Sequence, residues 1–397
     1  MHGDGAAMTP AARIAAAIEI LDRYLAGAPV EQVLTTWARG NRFAGSGDRA
    51  AIRDHVFDAL RCRRSFAALG GGETGRGLMI GAVRAAGGSP EDLFTGKGHA
   101  PPPLSVDEKA EAPAYPDLGG TVALDCPDWL AAPLRESLGP DFERVMQALR
   151  HRAPLFLRVN LRKTDPVAAQ AALRREGIET RPHPGARTAL EVTSGPRKVA
   201  RSEAFAQGLV EVQDVASQAV IDMLPLKPGQ TVLDLCAGGG GKTLAMAGRA
   251  EARFFAHDAA GERMRDLPAR AARAGVAVTI LTDTAPDHAG PFDLVLCDVP
   301  CSGSGAWRRQ PEGKWRLTPQ MLADLLKTQA GILDRAAPLV RPGGTLAYVT
   351  CSLLKAENGA QVDGFLSRHP GWQIAVRRQL VPGDGGDGFF VAVLTRD

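Results

Sequence analysis

The segment FDLVLCDVPCSGSGAWRRQPEGKW, residues 292–315, places an acid and a thiol directly after an apolar run. That run, centred on Val295 and bounded by polar residues, predicts a buried strand. Asp298 and Cys301 follow it, and in open α/β sheets ligands bind at the carboxyl ends of the strands. An isolated DxPC motif more often marks an ordinary loop with a small buried cysteine, so the rest of the chain must decide.

Residues 209–397 alternate between strand-like and helix-like patterns. We predict strands at 231–235, 253–257, 277–281, 293–297, 345–350, 372–377 and 389–395. Such alternation predicts an α/β fold whose mostly parallel sheet is covered on both faces. The last strand follows a glycine-rich turn, so it can run antiparallel. Seven strands with the last one reversed is the arrangement of Rossmann-like class I methyltransferases, although strand counting alone does not separate them from dehydrogenases.

Two further regions precede this one. Residues 1–150 carry apolar side chains at helical spacing, which predicts an all-helical domain, with residues 96–120 as a surface loop or linker. Residues 151–208 predict a small α+β segment. It combines a strand in PLFLRVNLRKT, residues 154–164, with a helix in DPVAAQAALRREG, residues 165–177. Arg158 and Asn160 share one face of that strand by period two.

Composition narrows the class of protein. With 397 residues, 45% of them hydrophobic, wholesale disorder is excluded. The net charge of +3 permits an RNA partner without demanding one. The six cysteines show no paired metal-ligand spacing, which favours a reduced chain without a metal. We find no signal peptide pattern and no apolar run near the roughly 20 residues that span a bilayer. We therefore expect a cytoplasmic monomer with no membrane partner.

VLDLCAGGGGKT, residues 232–243, has the pattern of a strand, a glycine-rich turn and a helix start. Glycines let the backbone approach a ligand closely. Cys236 stands where a P-loop needs its first glycine, so an NTPase motif fails, and a GxGxxG match is weak among four consecutive glycines. Asp234, Asp258 and Asp283 follow successive strands. As strand caps they would be unremarkable, but together they suit a nucleoside with a cationic centre, such as S-adenosyl-L-methionine.

The strand at 345–350 ends in Thr350-Cys351-Ser352. Because the fourth and fifth strands of a doubly wound sheet are neighbours, Cys351 should emerge beside Cys301. The two thiols could pack as small buried side chains or form a disulfide, which a reduced compartment disfavours. They also suit cytosine chemistry, because C5 is a poor nucleophile until a thiolate adds at C6. A nearby positive charge such as Lys242 favours the thiolate.

Four motifs together resemble the RNA 5-methylcytosine methyltransferases of the NOL1/NOP2/Sun family, most closely the bacterial Sun-type 16S rRNA enzymes. They are DVPCSGSGAWRRQPEGKW, TCS, DLCAGGGGKT and DGFFVAVL, and the resemblance covers roughly residues 150–397. GDRAAIRDHVFDALRCRRS, residues 47–65, resembles the NusB-like RNA-binding domain of those enzymes. The resemblance implies methyl transfer from S-adenosyl-L-methionine to cytosine C5 of RNA, with 16S rRNA as the expected substrate.

The resemblance also implies roles for individual residues. Cys351 would attack C6, and Cys301 would help to release the product. Asp298 would contact the cytosine edge, with Lys242 in the active site. The cofactor would lie against Cys236, Ala237, Gly238, Gly239, Gly240, Gly241, Lys242, Asp258, Arg263, Asp283 and Asp298. Arg158 and Asn160 match an upstream RxN motif. Together with Arg308 and Arg309 of the basic, tryptophan-containing stretch they would contact RNA, unless that stretch is only a solvated charge run.

Two departures from the family pattern stand out. Where the family has CAAPGGKT, Gly238 and Gly239 replace an alanine and a proline, which predicts a more flexible loop and a loss of about 1 kcal/mol in cofactor binding. Pro268 is expected to interrupt the helix that follows Asp258. Two alternatives remain open: a non-catalytic rRNA-binding assembly factor with this fold, and an enzyme that methylates tRNA. A P-loop NTPase is a weaker third.

Overall fold

The computed structural model describes residues 7–110, 115–283, 285–383 and 385–396. The chain divides into two compact units. The helical unit comprises the residues up to Arg135, Gly139–Arg152 and Trp307–Trp315. The sheet unit comprises Glu136–Leu138, Ala153–Ala306 and Arg316–Asp397. None of the helices in the described ranges is long and apolar enough to span a membrane.

The helical unit has no strand among its described residues, as the sequence predicted. Its helices are α1 Pro10–Leu25, α2 Val30–Gly40, α3 Ser46–Arg61, α4 Arg63–Gly70, α5 Gly75–Ala85, α6 Val106–Lys109, α7 Gly120–Ala123, α8 Asp128–Leu138 and α9 Phe142–Leu149. The Thr9 hydroxyl caps α1 by accepting a hydrogen bond from Ala12 N at 3.2 Å. Ile20, Leu21 and Leu60 are fully buried in its core. Its likeness to NusB stays a prediction.

Residues Trp307–Trp315 pack within the helical unit although they follow the Cys301 loop in sequence. Arg61 Nε donates to the carbonyl oxygen of Arg308 at 2.7 Å. Lys314 Nζ donates to Arg61 O at 3.0 Å, and Trp315 Nε1 donates to Leu60 O at 2.6 Å. Lys314 is buried, and burial lowers its pKa to about 8. Residues 292–315, the segment with the DVPC motif, are thus divided between the two units.

The sheet unit begins with a small antiparallel sheet. Its strands are β1 Phe156–Val159, β2 Glu179–Pro182, β3 Ala189–Ser194 and β4 Val210–Val212, in the order β2-β3-β1-β4. Its helices are α10 Pro166–Arg175 and α11 Glu203–Ala206. The Asp165 carboxylate caps α10 by accepting from Val167 N and Ala168 N. The small sheet has the α+β character predicted for residues 151–208, but its strand β4 lies beyond residue 208, where the predicted segment ends.

A seven-stranded sheet forms the rest of the sheet unit. Its strands are β5 Thr231–Asp234, β6 Arg253–Ala256, β7 Val278–Ile280, β8 Phe292–Asp298, β9 Val340–Thr350, β10 Trp372–Leu380 and β11 Phe389–Arg396. Their order is β10-β11-β9-β8-β5-β6-β7, and only β11 runs antiparallel to its neighbours. The other helices of the sheet unit are α12 Val215–Asp222, α13 Gly241–Ala247, α14 Leu267–Ala274, α15 Ala285–Ala289, α17 Pro319–Ala336 and α18 Gly359–Arg368, whereas α16 Pro311–Arg316 lies in the helical unit except for its last residue. The predicted Rossmann-like sheet is confirmed.

Alternating side chains of the central strands bury both faces of this sheet. Leu233 and Val295 lie in one hydrophobic cluster, whereas Val232 and Leu294 lie in another. A sheet that is buried on both faces leaves its edges and strand ends as the places where polar side chains can meet a ligand. The strand ends therefore position the candidate site.

Pro268 does not interrupt a helix, so that prediction is wrong. The helix α14 begins at Leu267, which makes Pro268 its second residue. In the first turn of a helix the backbone N–H has no acceptor within the helix, so a proline there costs no hydrogen bond. Gly275 ends the helix in the left-handed conformation, with φ of 72°.

Candidate active site

Two cysteines meet where β8 and β9 end. These strands are parallel neighbours, and the loops that follow them bring Cys301 Sγ to 3.4 Å from Cys351 Sγ. Both thiols are free and half-buried. The hydrogen bond with Cys351, followed by burial, raises the pKa of Cys301 well above its usual range. Cys301 is therefore a protonated thiol at neutral pH, and either sulfur can be the donor of the hydrogen bond between the two cysteines.

A lysine and an aspartate form an ion pair beside these thiols. Lys242 lies in the first turn of α13, and its Nζ is 2.7 Å from Asp298 Oδ2. Nζ also lies 5.0 Å from the centre of the Phe389 ring. Burial lowers the Lys242 pKa, but the Asp298 carboxylate outweighs that effect, and the net pKa is raised. The charge of Cys351 acts in the same direction. A fixed positive charge thus stands close to Cys351.

One buried carboxylate holds both cysteine loops, and the sequence did not reveal it. Glu357 is fully buried, and its Oε1 accepts from Ser302 N at 2.8 Å and from Gln329 Nε2 at 3.0 Å. Its Oε2 accepts from the hydroxyls of Ser302 and Ser352. Each of these serines follows one of the cysteines. The only available signal was this repeated Cys-Ser pair, whose hydroxyls need an acceptor when buried.

The Cys301 loop is also fixed by close backbone contact. Gly305 N donates to Cys351 O at 2.9 Å, and Gly388 N donates to Gly305 O at 2.9 Å. A Cβ added at Gly305 would lie 2.1 Å from Gly388 O. Only glycine fits at this position, which ties the Cys301 loop to the turn before β11.

The predicted cofactor loop connects β5 to α13. Gly238 and Gly240 have φ of 50° and 80°, and a Cβ at Gly240 would lie 2.2 Å from Leu267 Cδ1. Gly238 N donates to Asp258 Oδ2 at 2.9 Å. Arg270 donates to the carbonyl oxygen of Gly239. These contacts define one conformation of the loop, while the weaker cofactor binding expected from its extra glycines stays a prediction.

The acids at the strand ends differ in their surroundings. Asp258 is buried, and besides Gly238 N it accepts from Ala260 N at 3.0 Å and pairs with Arg263 Nη1 at 3.2 Å. Asp283 is exposed and has a positive φ of 50°. Its carbonyl oxygen lies 3.0 Å from His257 Nε2. Asp258 thus organises the loop, and the Asp283 side chain is open to a ligand.

Asp234 has an unused oxygen next to the cofactor loop. Its Oδ2 accepts from Thr243 Oγ1 at 2.7 Å, but its buried Oδ1 has no hydrogen-bond partner among the described residues. Burial raises the pKa of Asp234 to about 7, and the charge of Asp298 adds to the effect. Burial also raises the pKa of the Cys236 thiol. An orphaned acceptor of this kind fits a cofactor that brings a hydrogen-bond donor or a cationic group.

Arg158 and Asn160 do not face solvent, which does not support the predicted RNA contacts. Arg158 Nη1 donates to Gln213 Oε1 at 2.6 Å and to Gly241 O at 2.7 Å, and burial lowers its pKa to about 10. Asn160 Nδ2 donates to the carbonyl oxygens of Gly208 at 3.0 Å and Ala274 at 2.9 Å. Their hydrogen bonds support the cofactor loop and the end of α14 instead.

Arg308 and Arg309 lie in the segment that packs within the helical unit. Arg308 is buried, so it does not offer its guanidinium group to RNA in this structure. Arg309 is half-buried, and its contact with RNA stays a prediction. Trp307 is 1% exposed and belongs to the buried interior. The basic, tryptophan-containing stretch is therefore largely a structural element.

Comparison with known proteins shows which family this chain belongs to. Residues 221–395 match the family of the 16S rRNA methyltransferase RsmB/F, and residues 126–199 match the ferredoxin-like domain of RsmF/B-like methyltransferases. Ribosomal RNA small subunit methyltransferase B of Xylella fastidiosa is 36% identical over 289 residues, which cover 68% of this chain and 67% of that protein. This chain belongs to the RsmB/F family. The resemblance predicted from the motifs is confirmed.

A second relative and two solved structures are also similar to this chain. The same enzyme of Photorhabdus laumondii is 33% identical over 284 residues, or 68% of this chain, and the chain spans 66% of that relative's length. The crystal structure of PH0851 superposes with a TM-score of 0.77, 24% identity and coverage of 98% of this chain and 99% of the other. NSun6 from Pyrococcus horikoshii gives a TM-score of 0.60, 18% identity and coverage of 68% and 98%. These two structures share the fold.

Proposed function

We propose that this protein is an S-adenosyl-L-methionine-dependent RNA (cytosine-C5) methyltransferase that acts on 16S rRNA. The observation that carries the proposal is the 3.4 Å contact between Cys301 Sγ and Cys351 Sγ beside the Lys242–Asp298 ion pair. The family matches support the same activity, since they are named for methylation of small-subunit rRNA. A non-catalytic assembly factor would have no need for this pair of thiols next to the half-buried ammonium of Lys242.

Cys351 acts as the nucleophile in this proposal. Its thiolate adds to cytosine C6, close to the Lys242 ammonium, and makes C5 electron-rich. The cofactor, if held by the glycine loop and Asp234, would supply an electrophilic methyl group on a sulfonium, which the electron-rich C5 would take with release of the neutral thioether. The C5 proton then leaves to water, and the Cys351–C6 bond breaks to restore the base.

Cys301 assists the last step. Because its pKa is raised, it keeps its proton, and its sulfur lies 3.4 Å from the departing Cys351 sulfur. Its S–H can therefore stabilise the leaving thiolate by a hydrogen bond. Asp298, whose side chain is 31% exposed, would meet the N3 and N4 edge of the cytosine.

The cofactor would lie against the glycine loop, with the unused oxygen of Asp234 and the exposed Asp283 as its polar contacts. Asp258 and Arg263 would hold the loop in shape through Gly238 N and their own ion pair. Calorimetric titration with S-adenosyl-L-methionine tests this assignment directly, because an assembly factor that only keeps the fold would give no heat of binding.

Cysteine variants test the mechanism. We expect Cys351→Ala to abolish 5-methylcytidine formation on 16S rRNA, measured by mass spectrometry of digested nucleosides. Cys301→Ala should accumulate a covalent RNA adduct, seen as a slowly migrating band in a denaturing gel. Cys62→Ala, in the helical unit, is the matched control and should leave the product yield unchanged. Activity that survives in Cys351→Ala but is lost in Cys301→Ala would reverse the assigned roles.

The substrate and the state of the protein need their own tests. Transcripts of 16S rRNA and of tRNA, compared at equal concentration, distinguish the two RNA classes, and preferential methylation of tRNA would overturn the rRNA assignment. We also propose that the protein acts in the cytoplasm, because rRNA is its proposed substrate, and that it is a monomer. Light scattering should then give a mass near 41.9 kDa.

A further inference from the structure

An arginine-lined groove lies on the helical unit, where α2 ends and α3 begins. It is formed by Arg39 in the last turn of α2, Arg42 in the connection and Arg49 in α3, together with Thr35 and Ala38. All three arginines are exposed. None of the three forms an ion pair with any residue that the structure describes. We call this surface the arginine groove.

The acidic residues Glu31 of α2 and Asp48 of α3 are already engaged with other partners. Glu31 pairs with Arg53, and this bond lowers the pKa of Glu31. Asp48 is buried and pairs with Arg13 at 2.8 Å, while its Oδ2 accepts from Gly45 N at 3.2 Å. The positive charge of the groove is therefore not neutralised within the described part of the unit. Three guanidinium groups left together in this way favour an anionic partner.

An exposed aromatic side chain follows the groove residue Arg42 in sequence. Phe43 directly follows Arg42 and is 67% exposed. It is the one aromatic among the large hydrophobic side chains that remain exposed in the described residues. A free phenyl ring next to unpaired arginines is the combination that binds single-stranded nucleic acid, where bases stack on rings and cations hold phosphates.

We propose that the arginine groove and Phe43 form a docking surface for a single-stranded segment of the RNA substrate. This inference rests on the proposed function, since it assigns a second contact to the same RNA. Phosphate oxygens would bind the planar guanidinium groups, which match phosphate geometry better than lysines do. One unpaired base would stack on Phe43. Duplex RNA keeps its bases stacked, so it cannot use the ring in this way.

The test measures binding of a fluorescein-labelled 12-nucleotide single-stranded RNA to the full-length protein by anisotropy, between 50 and 300 mM KCl. The triple variant Arg39→Gln, Arg42→Gln, Arg49→Gln should bind on the order of tenfold more weakly at 100 mM KCl. The slope of log affinity against log salt should fall by about 2, since each phosphate contact contributes roughly 0.7 for single strands.

The matched control carries the same loss of charge elsewhere. Lys227, Arg253 and Arg378 are exposed in the sheet unit, and their triple replacement by glutamine should change the RNA affinity less than twofold. If this control weakens binding as much as the groove variant does, the effect reflects total charge and the proposal is overturned. A groove variant that binds within twofold of the wild type at every salt concentration also overturns it, and would point to an acidic protein as the partner.

Variants of Phe43 separate stacking from simple apolar contact. Phe43→Leu should weaken binding by about fivefold or more with an unchanged salt slope, whereas Phe43→Trp should keep the wild-type affinity. Retained affinity in Phe43→Leu would contradict a stacked base.

The outcomes also separate this inference from the proposed function. If the groove variant loses RNA binding but the wild type transfers no methyl group, the proposed function is contradicted and the docking surface is supported. If the groove variant binds RNA normally and the wild type transfers methyl groups, the docking surface is contradicted and the proposed function is supported.

Discussion

The ammonium of Lys242 lies 2.7 Å from the carboxylate of Asp298, and the two come from different strand ends of one sheet. Lys242 follows β5 through the glycine loop, whereas Asp298 is the last residue of β8. Because β5 and β8 are parallel neighbours, this ion pair connects the proposed cofactor loop to the proposed cytosine pocket. Replacing either partner should therefore affect the binding of both the cofactor and the cytosine base.

Replacing Lys242 by methionine removes the positive charge beside Cys351. We expect methyl transfer to fall on the order of a hundredfold, because the thiolate loses its electrostatic support. In a Cys301→Ala background, the rate of Cys351 alkylation by iodoacetamide at pH 7.5 should fall as well. Lys227→Met, at an exposed position, is the control. An unchanged alkylation rate would show that Lys242 does not activate this thiol.

Replacing Glu357 by glutamine should loosen both cysteine loops at once. The amide offers an N–H₂ group where the structure has an acceptor for four donor groups, so the free energy of unfolding should drop by about 1–3 kcal/mol. We expect kcat to fall while KM for RNA holds. Denaturant titration and steady-state kinetics measure the two effects, with the exposed Glu251→Gln as control. A normal kcat would limit Glu357 to a role in stability.

Asp234 should make stability depend on pH. Its pKa is about 7 in the fold against 3.8 ordinarily, so the folded protein holds a proton that the unfolded chain loses between those values. Stability is therefore full below pH 4 and falls as pH rises toward 7, by up to about 4 kcal/mol. Asp234→Asn should lack this decline, so its unfolding free energy relative to wild type should rise from pH 4 to pH 7. If the difference in unfolding free energy between variant and wild type stays constant from pH 4 to pH 7, the raised pKa of Asp234 is contradicted.

The same Asp234→Asn variant should bind S-adenosyl-L-methionine more weakly. The unused Oδ1 is the feature that fits a donor or cation of the cofactor, and the asparagine cannot supply a negative charge there. Calorimetry at pH 7 checks this, and unchanged affinity would remove Asp234 from the cofactor site.

Arg158→Met separates support of the cofactor loop from contact with RNA. Loss of the hydrogen bonds to Gln213 and to Gly241 O should lower the affinity for S-adenosyl-L-methionine about tenfold. RNA affinity should stay within twofold, because Arg158 is buried. Arg181→Met, on the exposed edge strand β2, controls for loss of charge. If Arg158→Met instead weakens RNA binding and leaves the affinity for S-adenosyl-L-methionine unchanged, the RNA contact predicted from the RxN motif is supported.

Local patterns predicted the sheet and the meeting of the two cysteines. Alternating strands and helices imply strand order, and strand order alone places Cys301 near Cys351. The start of β9 was harder to predict, since it begins at Val340 and runs through Arg-Pro-Gly-Gly, a composition typical of turns. There the pairing of Phe292 with Val340 overrides local preference.

Side-chain environments could not be predicted in the same way. Periodicity put Arg158 and Asn160 on one face but did not show that other parts of the chain cover it. Arg308 belongs to a charged stretch, yet its carbonyl oxygen pairs with Arg61, 247 positions away. Glu357 resembles any loop acid until donors from Ser302 and Gln329, 55 and 28 positions away, converge on it. Each of these depends on contacts that are remote in sequence.

The segment Trp307–Trp315 has a consequence for synthesis on the ribosome. Domains generally fold as they emerge, the N-terminal one first. Here the interior of the helical unit includes Trp307 and Lys314, which are made after strands β1 to β8. The first unit to be translated therefore stays incomplete until most of the second has been made.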